Sequence, residues 1–288
     1  MSLLGLAYRE LVLEGHLLAL GTASIAAAAA FLYGKSPTLV LLIMAYLFSF
    51  GAYMMNRSAE MDQDLASHPE RTRYLSKRKK ALPAVVAGAF LVGYLLAATV
   101  SLLFFLALLA PLGLSLLYSV GSKRLIGIIG ARNLKQKLLL KNVSISLGWS
   151  LIPILVGFYF GAFDAPLLLL SPFIFFRLMT NTIVFDIRDE KGDKENGVMT
   201  LPTELGVRRS FDIDALVDAG SAAYLILLLL VGAVPFYSIT LISLPVYSTA
   251  YRFAAMKGAA SLTFICDFVA DAEYMLWGPL IYIGKILI

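Results

Sequence analysis

Two sets of acidic and amide side chains recur at four-residue intervals, far apart along the chain. Asn56, Glu60 and Asp64 form the first set, and Asp189 and Asp193 form the second. Side chains four residues apart share one face of a helix, where like charges repel and need a compensating cation. Oxygen ligands without His or Cys favour a hard ion, and carboxylates that leave room for water and phosphate oxygens suit Mg²⁺. For either set alone, solvated loop charges are the competing interpretation.

The segments around these acids are strongly apolar. The chain has 288 residues, of which 59% are hydrophobic and 15% charged, and its mean hydropathy is +0.81. A soluble domain cannot bury so much apolar surface, so the composition predicts a polytopic membrane protein. A transmembrane helix needs about 20 apolar residues. The predicted spans are 15–33, 37–55, 82–99, 102–119, 143–162, 166–185, 217–235, 238–252 and 264–284, with tight turns near Ser101, at 164–166 and at Pro235.

Basic residues predict the orientation, because Lys and Arg near helix ends stay on the cytoplasmic side. With nine spans, most of the 24 Lys and Arg residues fall on the side of the N-terminus. Four spans separate the acidic sets, so both face that side, which we expect to be the cytoplasmic face of the plasma membrane. The net charge of +5 then reflects topology and membrane lipids rather than a nucleic-acid partner. We expect residues 1–288 to form one all-α domain of nine transmembrane helices around a central cavity, in two similar halves.

Several polar residues fall inside the predicted spans, where such residues are costly. Arg177 lies two to three turns into the sixth span, at the same depth as Asp271 and Glu273 in the ninth. We therefore predict that Arg177 pairs with Asp271 or Glu273. Asn181, one turn nearer the surface, is a candidate for the metal site. Among the many basic residues of the intervening loops, we select Arg71 and Lys123 as candidates for binding a diphosphate.

This pattern resembles the UbiA superfamily of intramembrane prenyltransferases. The family carries Asn-x-x-x-Asp-x-x-x-Asp after the second helix and Asp-x-x-x-Asp after the sixth. The chain has Asn56-x-x-x-Glu60-x-x-x-Asp64 and Asp189-x-x-x-Asp193 at those places, and its segments "PERT" (69–72) and "GDKENGVMTLPTELG" (192–206) are similar to the segments that follow the family motifs. The chain departs from the pattern at Glu60, where the family usually has Asp.

The resemblance implies transfer of an isoprenyl group from an allylic isoprenyl diphosphate to an acceptor, with Mg²⁺ assisting departure of the diphosphate. It implies that Glu60, Asp64, Asp189 and Asp193 hold metal, that Asn56 joins them at the diphosphate, and that Asp186 supports them. Tyr118 and Ser119 match a position beside the prenyl donor, and Asn181 is grouped with them as a residue that binds the prenyl group or the acceptor. The acceptor stays open between an aromatic ring and a lipid headgroup.

Two other classes were weighed against an enzyme. A secondary transporter with an acidic ion site would combine two similar halves with buried charges, but its site usually lies at the bilayer midplane, whereas these acids gather at one surface. A non-catalytic scaffold leaves the paired acids unexplained. The two histidines, His16 and His68, form no His-Glu-x-x-His motif, which excludes that class of metalloprotease.

Overall fold

The computed structural model describes residues 8–67, 69–119, 139–161 and 165–288, and the side chains of residues 60, 62–67, 116–119 and 167 fall outside the description. Within these ranges the chain is helical and contains no β-strand. The helices are α1 (His16–Leu32), α2 (Leu39–Ser67), α3 (Pro69–Ser76), α4 (Leu82–Val100), α5 (Leu102–Ala107), α6 (Leu109–Ser119), α7 (Leu140–Ser150), α8 (Ile152–Phe160), α9 (Ala165–Glu195), α10 (Leu201–Leu205), α11 (Val207–Leu230), α12 (Ser243–Lys257) and α13 (Trp277–Leu287).

The protein is a multi-pass membrane protein. Five described helical stretches are long and apolar enough to cross a bilayer, namely Leu39–Ala59, Leu82–Val100, Leu140–Phe160, Leu168–Glu195 and Val207–Leu230. Shorter helices overlap the other predicted spans within the described ranges. The all-α membrane fold is therefore confirmed, while the count of nine spans stays a prediction.

Some helices extend beyond the span bounds predicted from hydropathy, because polar residues continue them. Helix α11 begins at Val207 instead of residue 217, because the charged residues among its first ten belong to the helix. The predicted ninth span is not a regular α-helix. Leu262–Phe264 makes one α-turn, Ile265–Ala270 is π-helical and Glu273–Leu276 is 3₁₀. We call residues 262–276 the irregular segment.

The predicted turns at Ser101 and Pro235 lie within the described residues, and both are observed. Ser101 is extended between α4 and α5, and its hydroxyl accepts a hydrogen bond from the Phe104 N–H at 3.1 Å, which caps the next helix. Pro235 is also extended, ahead of a 3₁₀ helix at Phe236–Ile242. Of the turn predicted at 164–166, residue 164 lies outside the described residues, and α9 begins at Ala165.

Helix α9 forms the centre of the bundle. It packs against both α7 and α11, and 61% of its apolar membrane-crossing stretch is buried inside the protein. Helix α1 packs against α13 and the irregular segment, and α13 packs against the 3₁₀ helix Phe236–Ile242, through small residues. A Cβ on Gly284 would lie 2.5 Å from the Tyr237 carbonyl oxygen, and one on Gly21 would lie 2.5 Å from the Tyr274 Cβ. Glycine is needed at both positions because the backbones approach so closely.

A buried charge network joins α9 to the C-terminal half. Arg177 is fully buried and donates to Glu273 Oε1 from Nε at 3.0 Å and from Nη2 at 2.6 Å. Its Nη1 also donates to Asp218 on α11. Arg252 on α12 donates to Asp214 and Asp218, at 3.1 Å each. The predicted pairing of Arg177 with one of these two acids is thus confirmed, and the partner is Glu273, whereas Asp271 lines a cavity.

Candidate active site

A cavity of about 420 Å³ opens between α2, α6, α7, α9 and the irregular segment. Its deep wall is apolar and its mouth is polar. The deep lining includes Ala26, Leu41, Met44, Phe104, Leu108 and Val156, and the mouth includes Asn56, Lys141, Asp186, Asp189, Asp193, Asn196 and Asp267. Such a cavity matches a ligand with a charged head and a hydrocarbon tail.

The two predicted motifs lie on helices that continue beyond their apolar windows. Helix α2 runs unbroken to Ser67, so positions 60 and 64 follow Asn56 by one and two turns on the same face. The side chains of Glu60 and Asp64 lie outside the described ones. Helix α9 runs to Glu195, which places Asp189 and Asp193 one turn apart. Asn56 and both of these aspartates line the same cavity.

Asp186 is held from α7, the neighbouring helix. Its side chain is buried, Lys141 Nζ donates to Oδ1 at 2.9 Å, and Asn142 Nδ2 donates to Oδ2 at 2.8 Å. The pairing with Lys141 offsets the cost of burying the carboxylate. Both oxygens of Asp186 therefore have protein partners, which suits the supporting role predicted for this residue.

Arg188 connects the second motif to the irregular segment. Its guanidinium donates a bidentate pair of hydrogen bonds to Asp189, from Nε to Oδ1 at 2.8 Å and from Nη2 to Oδ2 at 2.9 Å. The remaining Nη1 donates to Asp267 Oδ1 at 2.5 Å. Arg71 Nη1 approaches the same Asp267 oxygen at 4.0 Å. The planar guanidinium is well matched to a carboxylate pair of this geometry.

The remaining predicted site residues divide into three groups. Asn181 lines the cavity below the mouth. Arg71 is buried behind the mouth, against Asp267, and does not line the cavity. Tyr118 and Ser119 end helix α6, with side chains outside the described ones, and Lys123 lies outside the described residues.

Several polar residues that line the cavity were not predicted for the site, among them Lys141, Arg188, Asp267 and Asp271. Lys141 and Arg188 had been counted only among the basic residues that report topology. The spacing of Asp267 and Asp271 repeats the four-residue interval of the two motifs, and that repeat is the signal that would have found them.

The carboxylates at the mouth fit a magnesium ion. Asp189 and Asp193 present only oxygen ligands, as hard cations require. Asp193 Oδ2 is buried and has no hydrogen-bond partner among the described residues, and an unsatisfied buried carboxylate oxygen is costly unless a ligand meets it. The predicted ion site is therefore consistent with the arrangement of side chains.

Comparison with known proteins gives one family and several relatives. The model of the UbiA prenyltransferase family matches residues 17–268. Digeranylgeranylglyceryl phosphate synthase of Sulfurisphaera tokodaii is 26% identical over 203 residues, which cover 68% of this chain and 65% of that protein. The match thus spans slightly less than two thirds of that relative.

Solved structures share the fold. A UbiA homologue from Archaeoglobus fulgidus bound to DMAPP and Mg²⁺ superposes with a TM-score of 0.68 at 16% identity, covering 97% of this chain and all of that one. The apo structure of a UbiA homologue from Aeropyrum pernix K1 gives a TM-score of 0.70 at 14% identity, covering 96% and 98% of the two chains. At these identities the likeness establishes the fold.

Proposed function

The chain belongs to the UbiA prenyltransferase family, and we propose that it transfers an isoprenyl group from an allylic isoprenyl diphosphate to an aromatic ring or a lipid headgroup. The observation that carries this proposal is the polarity of the cavity, which changes from apolar at its floor to charged at its mouth. The family assignment supports prenyl transfer and gives the transporter alternative no support. We further propose that residues 1–288 act as one domain, in the plasma membrane, with the mouth facing the cytoplasm.

The mouth would hold the diphosphate and Mg²⁺. Asp189 and Asp193 would bind the ion from α9, and Glu60 and Asp64 would bind it from α2, with Asn56 beside the diphosphate. Mg²⁺ supplies positive charge that stabilises the leaving diphosphate. Lys141 keeps Asp186 oriented, and Arg188 keeps Asp189 oriented. We also keep Arg71 and Lys123 as proposed contacts of the diphosphate, and Tyr118 and Ser119 as proposed contacts of the prenyl group.

The deep wall would hold the hydrocarbon tail. As the allylic C–O bond breaks, positive charge develops on carbon, and water would capture it. The apolar lining formed by residues such as Met44, Phe104 and Val156 excludes water from that carbon. The relative from Sulfurisphaera tokodaii is named for the synthesis of a glyceryl phosphate lipid, which favours a lipid headgroup as acceptor.

A transfer assay tests the proposal. Purified protein is incubated with labelled prenyl diphosphates, Mg²⁺, and either glycerol-phosphate lipids or 4-hydroxybenzoate. We expect a labelled product whose formation needs Mg²⁺ and falls at least a hundredfold in Asp193→Asn and Asp64→Asn. Asp212→Asn is the matched control, because Asp212 is exposed on α11, and it should retain the wild-type rate. Substrate counterflow in liposomes without any labelled product would contradict the proposal.

A further inference from the structure

Two buried polar atoms line the cavity below its charged mouth. Asn181, on α9, is 3% exposed, and Asp271, in the irregular segment, is 9% exposed. Asn181 Nδ2 and Asp271 Oδ1 are both buried, and neither has a hydrogen-bond partner in the described part of the chain. Leaving such an atom unsatisfied costs about 1 to 3 kcal/mol. A donor and an acceptor lining one cavity without protein partners indicate a place for a polar ligand group.

Contacts between α9 and the irregular segment place these atoms at one depth. The Cys266 thiol contacts the Val184 carbonyl oxygen at 3.7 Å, and Arg177 bonds Glu273. The two elements therefore run antiparallel, with residues 266–273 opposite 184–177. Asp271 is then level with residue 179, within a turn of Asn181.

This level lies inward of the metal-binding carboxylates. Asn181 precedes Asp189 by eight residues, about 12 Å along α9 at the helical rise of about 1.5 Å per residue. The diphosphate would occupy the mouth, and the allylic carbon to which it is bonded would follow it inward. An acceptor held by Asn181 and Asp271 would therefore meet that carbon, whereas one held at the mouth would meet phosphate.

The two acids of the irregular segment differ in their partners. Asp267 is bound by Arg188 at 2.5 Å, while Asp271 forms no ion pair with a described residue. Tyr274, one turn further in, packs its ring against Trp149 with centroids 5.0 Å apart, and both side chains line the cavity. Among the described residues, Asp271 thus has no bound counter-ion, and it lies beside an apolar wall.

We propose that Asn181 and Asp271 form the acceptor subsite, that the reacting group of the acceptor is a hydroxyl, and that Asp271 takes its proton. This rests on the proposed prenyl transfer. The Asn181 N–H donates to the hydroxyl oxygen, and the Asp271 carboxylate accepts from the hydroxyl proton. A ring carbon would satisfy neither atom. The hydroxyl oxygen bonds the allylic carbon, the carbon–oxygen bond to diphosphate breaks with its electron pair leaving on the diphosphate, and the proton passes to Asp271.

The test compares Asp271→Asn with Asp212→Asn, using labelled geranyl diphosphate and a glycerol-phosphate lipid with one free hydroxyl. A positioned base typically contributes a factor of about 10² to 10⁴, so kcat should fall at least a hundredfold in Asp271→Asn. The KM for the prenyl diphosphate and the Mg²⁺ concentration for half-maximal diphosphate binding should stay within about twofold, since the mouth is intact. A rate within threefold of Asp212→Asn, or loss of diphosphate binding, would overturn the proposal.

A second acceptor separates proton transfer from packing. A fluorinated alcohol loses its proton more easily, so the deficit of Asp271→Asn should shrink at least tenfold with it, whereas a packing defect lowers both rates equally and overturns the assignment. If wild-type protein prenylates only the ring carbon of 4-hydroxybenzoate, the hydroxyl subsite is wrong and the proposed function stands. If it prenylates no acceptor at all, both proposals fail.

Discussion

The buried charge network predicts a large loss of stability when Arg177 is replaced by Met. The network contains two cations, Arg177 and Arg252, and three carboxylates, Asp214, Asp218 and Glu273. Arg177 is 0% exposed. Its removal leaves one cation facing three buried acids, with Glu273 stripped of its partner.

The magnitude follows from the geometry of Arg177. Its guanidinium donates to Glu273 twice, to Asp218, to Ser221 Oγ at 3.4 Å and to the Leu244 carbonyl oxygen at 3.3 Å. Breaking a buried ion pair by removing one partner costs about 3 to 5 kcal/mol. At roughly 2 to 4 °C per kcal/mol for a chain of this size, the unfolding midpoint should fall by about 6 to 20 °C.

Thermal unfolding of the detergent-solubilised protein measures this loss. Arg209→Met is the matched control, since Arg209 is exposed on α11, and it should change the free energy of unfolding by less than about 0.5 kcal/mol. Adding Glu273→Gln to Arg177→Met returns the network to one excess acid and should recover at least 1 kcal/mol, within the usual range of coupling between contacting residues. If Arg177→Met unfolds within 2 °C of the control, on the scale of about 2 to 4 °C per kcal/mol, the reasoning is wrong.

Three further outcomes are expected. Gly284→Ala should lower the unfolding midpoint by several degrees, because its Cβ would lie 2.5 Å from a backbone oxygen, whereas Gly88→Ala, with open space around the Cβ, should be neutral or slightly stabilising; equal midpoints would contradict this. Asn142→Leu should cost about 1 to 3 kcal/mol, because one oxygen of buried Asp186 loses its 2.8 Å donor, and an unchanged midpoint would show that the bond contributes nothing. Burial, followed by hydrogen bonding to Glu10, raises the pKa of Tyr74 from 10.0 to about 12. The folded protein therefore keeps this phenol proton at pH values where the unfolded chain has lost it. The contribution of Tyr74 to the free energy of unfolding is present below pH 10 and is lost as pH rises through about 12. Wild-type midpoints should therefore fall more steeply over that range than those of Tyr74→Phe, and parallel curves would contradict the assignment.

Hydropathy and spacing predicted the parts of the fold that depend on the bilayer. The turns at Ser101 and Pro235 follow from apolar blocks too long for one helix. Arg177 and Glu273 could be paired by counting depth, because a charge inside a membrane requires a partner. The placement of Asn56, Asp189 and Asp193 on one cavity followed from motif spacing and a shared side.

The sequence predictions missed polar residues that lie in helical segments beyond the bounds predicted from hydropathy. Asp214 fell in an assigned loop, yet α11 begins at Val207 and buries it against Arg252. Asp271 was considered only as a possible partner of Arg177, because the sequence pattern does not reveal the π-helical segment beside it. Such segments depend on packing and often mark functional sites. Counting residues into the span does not distinguish which of two equally deep acids, Asp271 or Glu273, faces the cavity.

The fork of Arg188 on Asp189 and the bond of Lys141 to Asp186 have a consequence for handling the protein. Because Arg188 and Lys141 neutralise two of the acids at the mouth, we expect the bundle to stay folded without a divalent ion. Treatment with a chelator should therefore abolish the proposed transfer activity reversibly while leaving the protein folded. Mg²⁺ would then be needed for binding and activating the diphosphate, and not for folding.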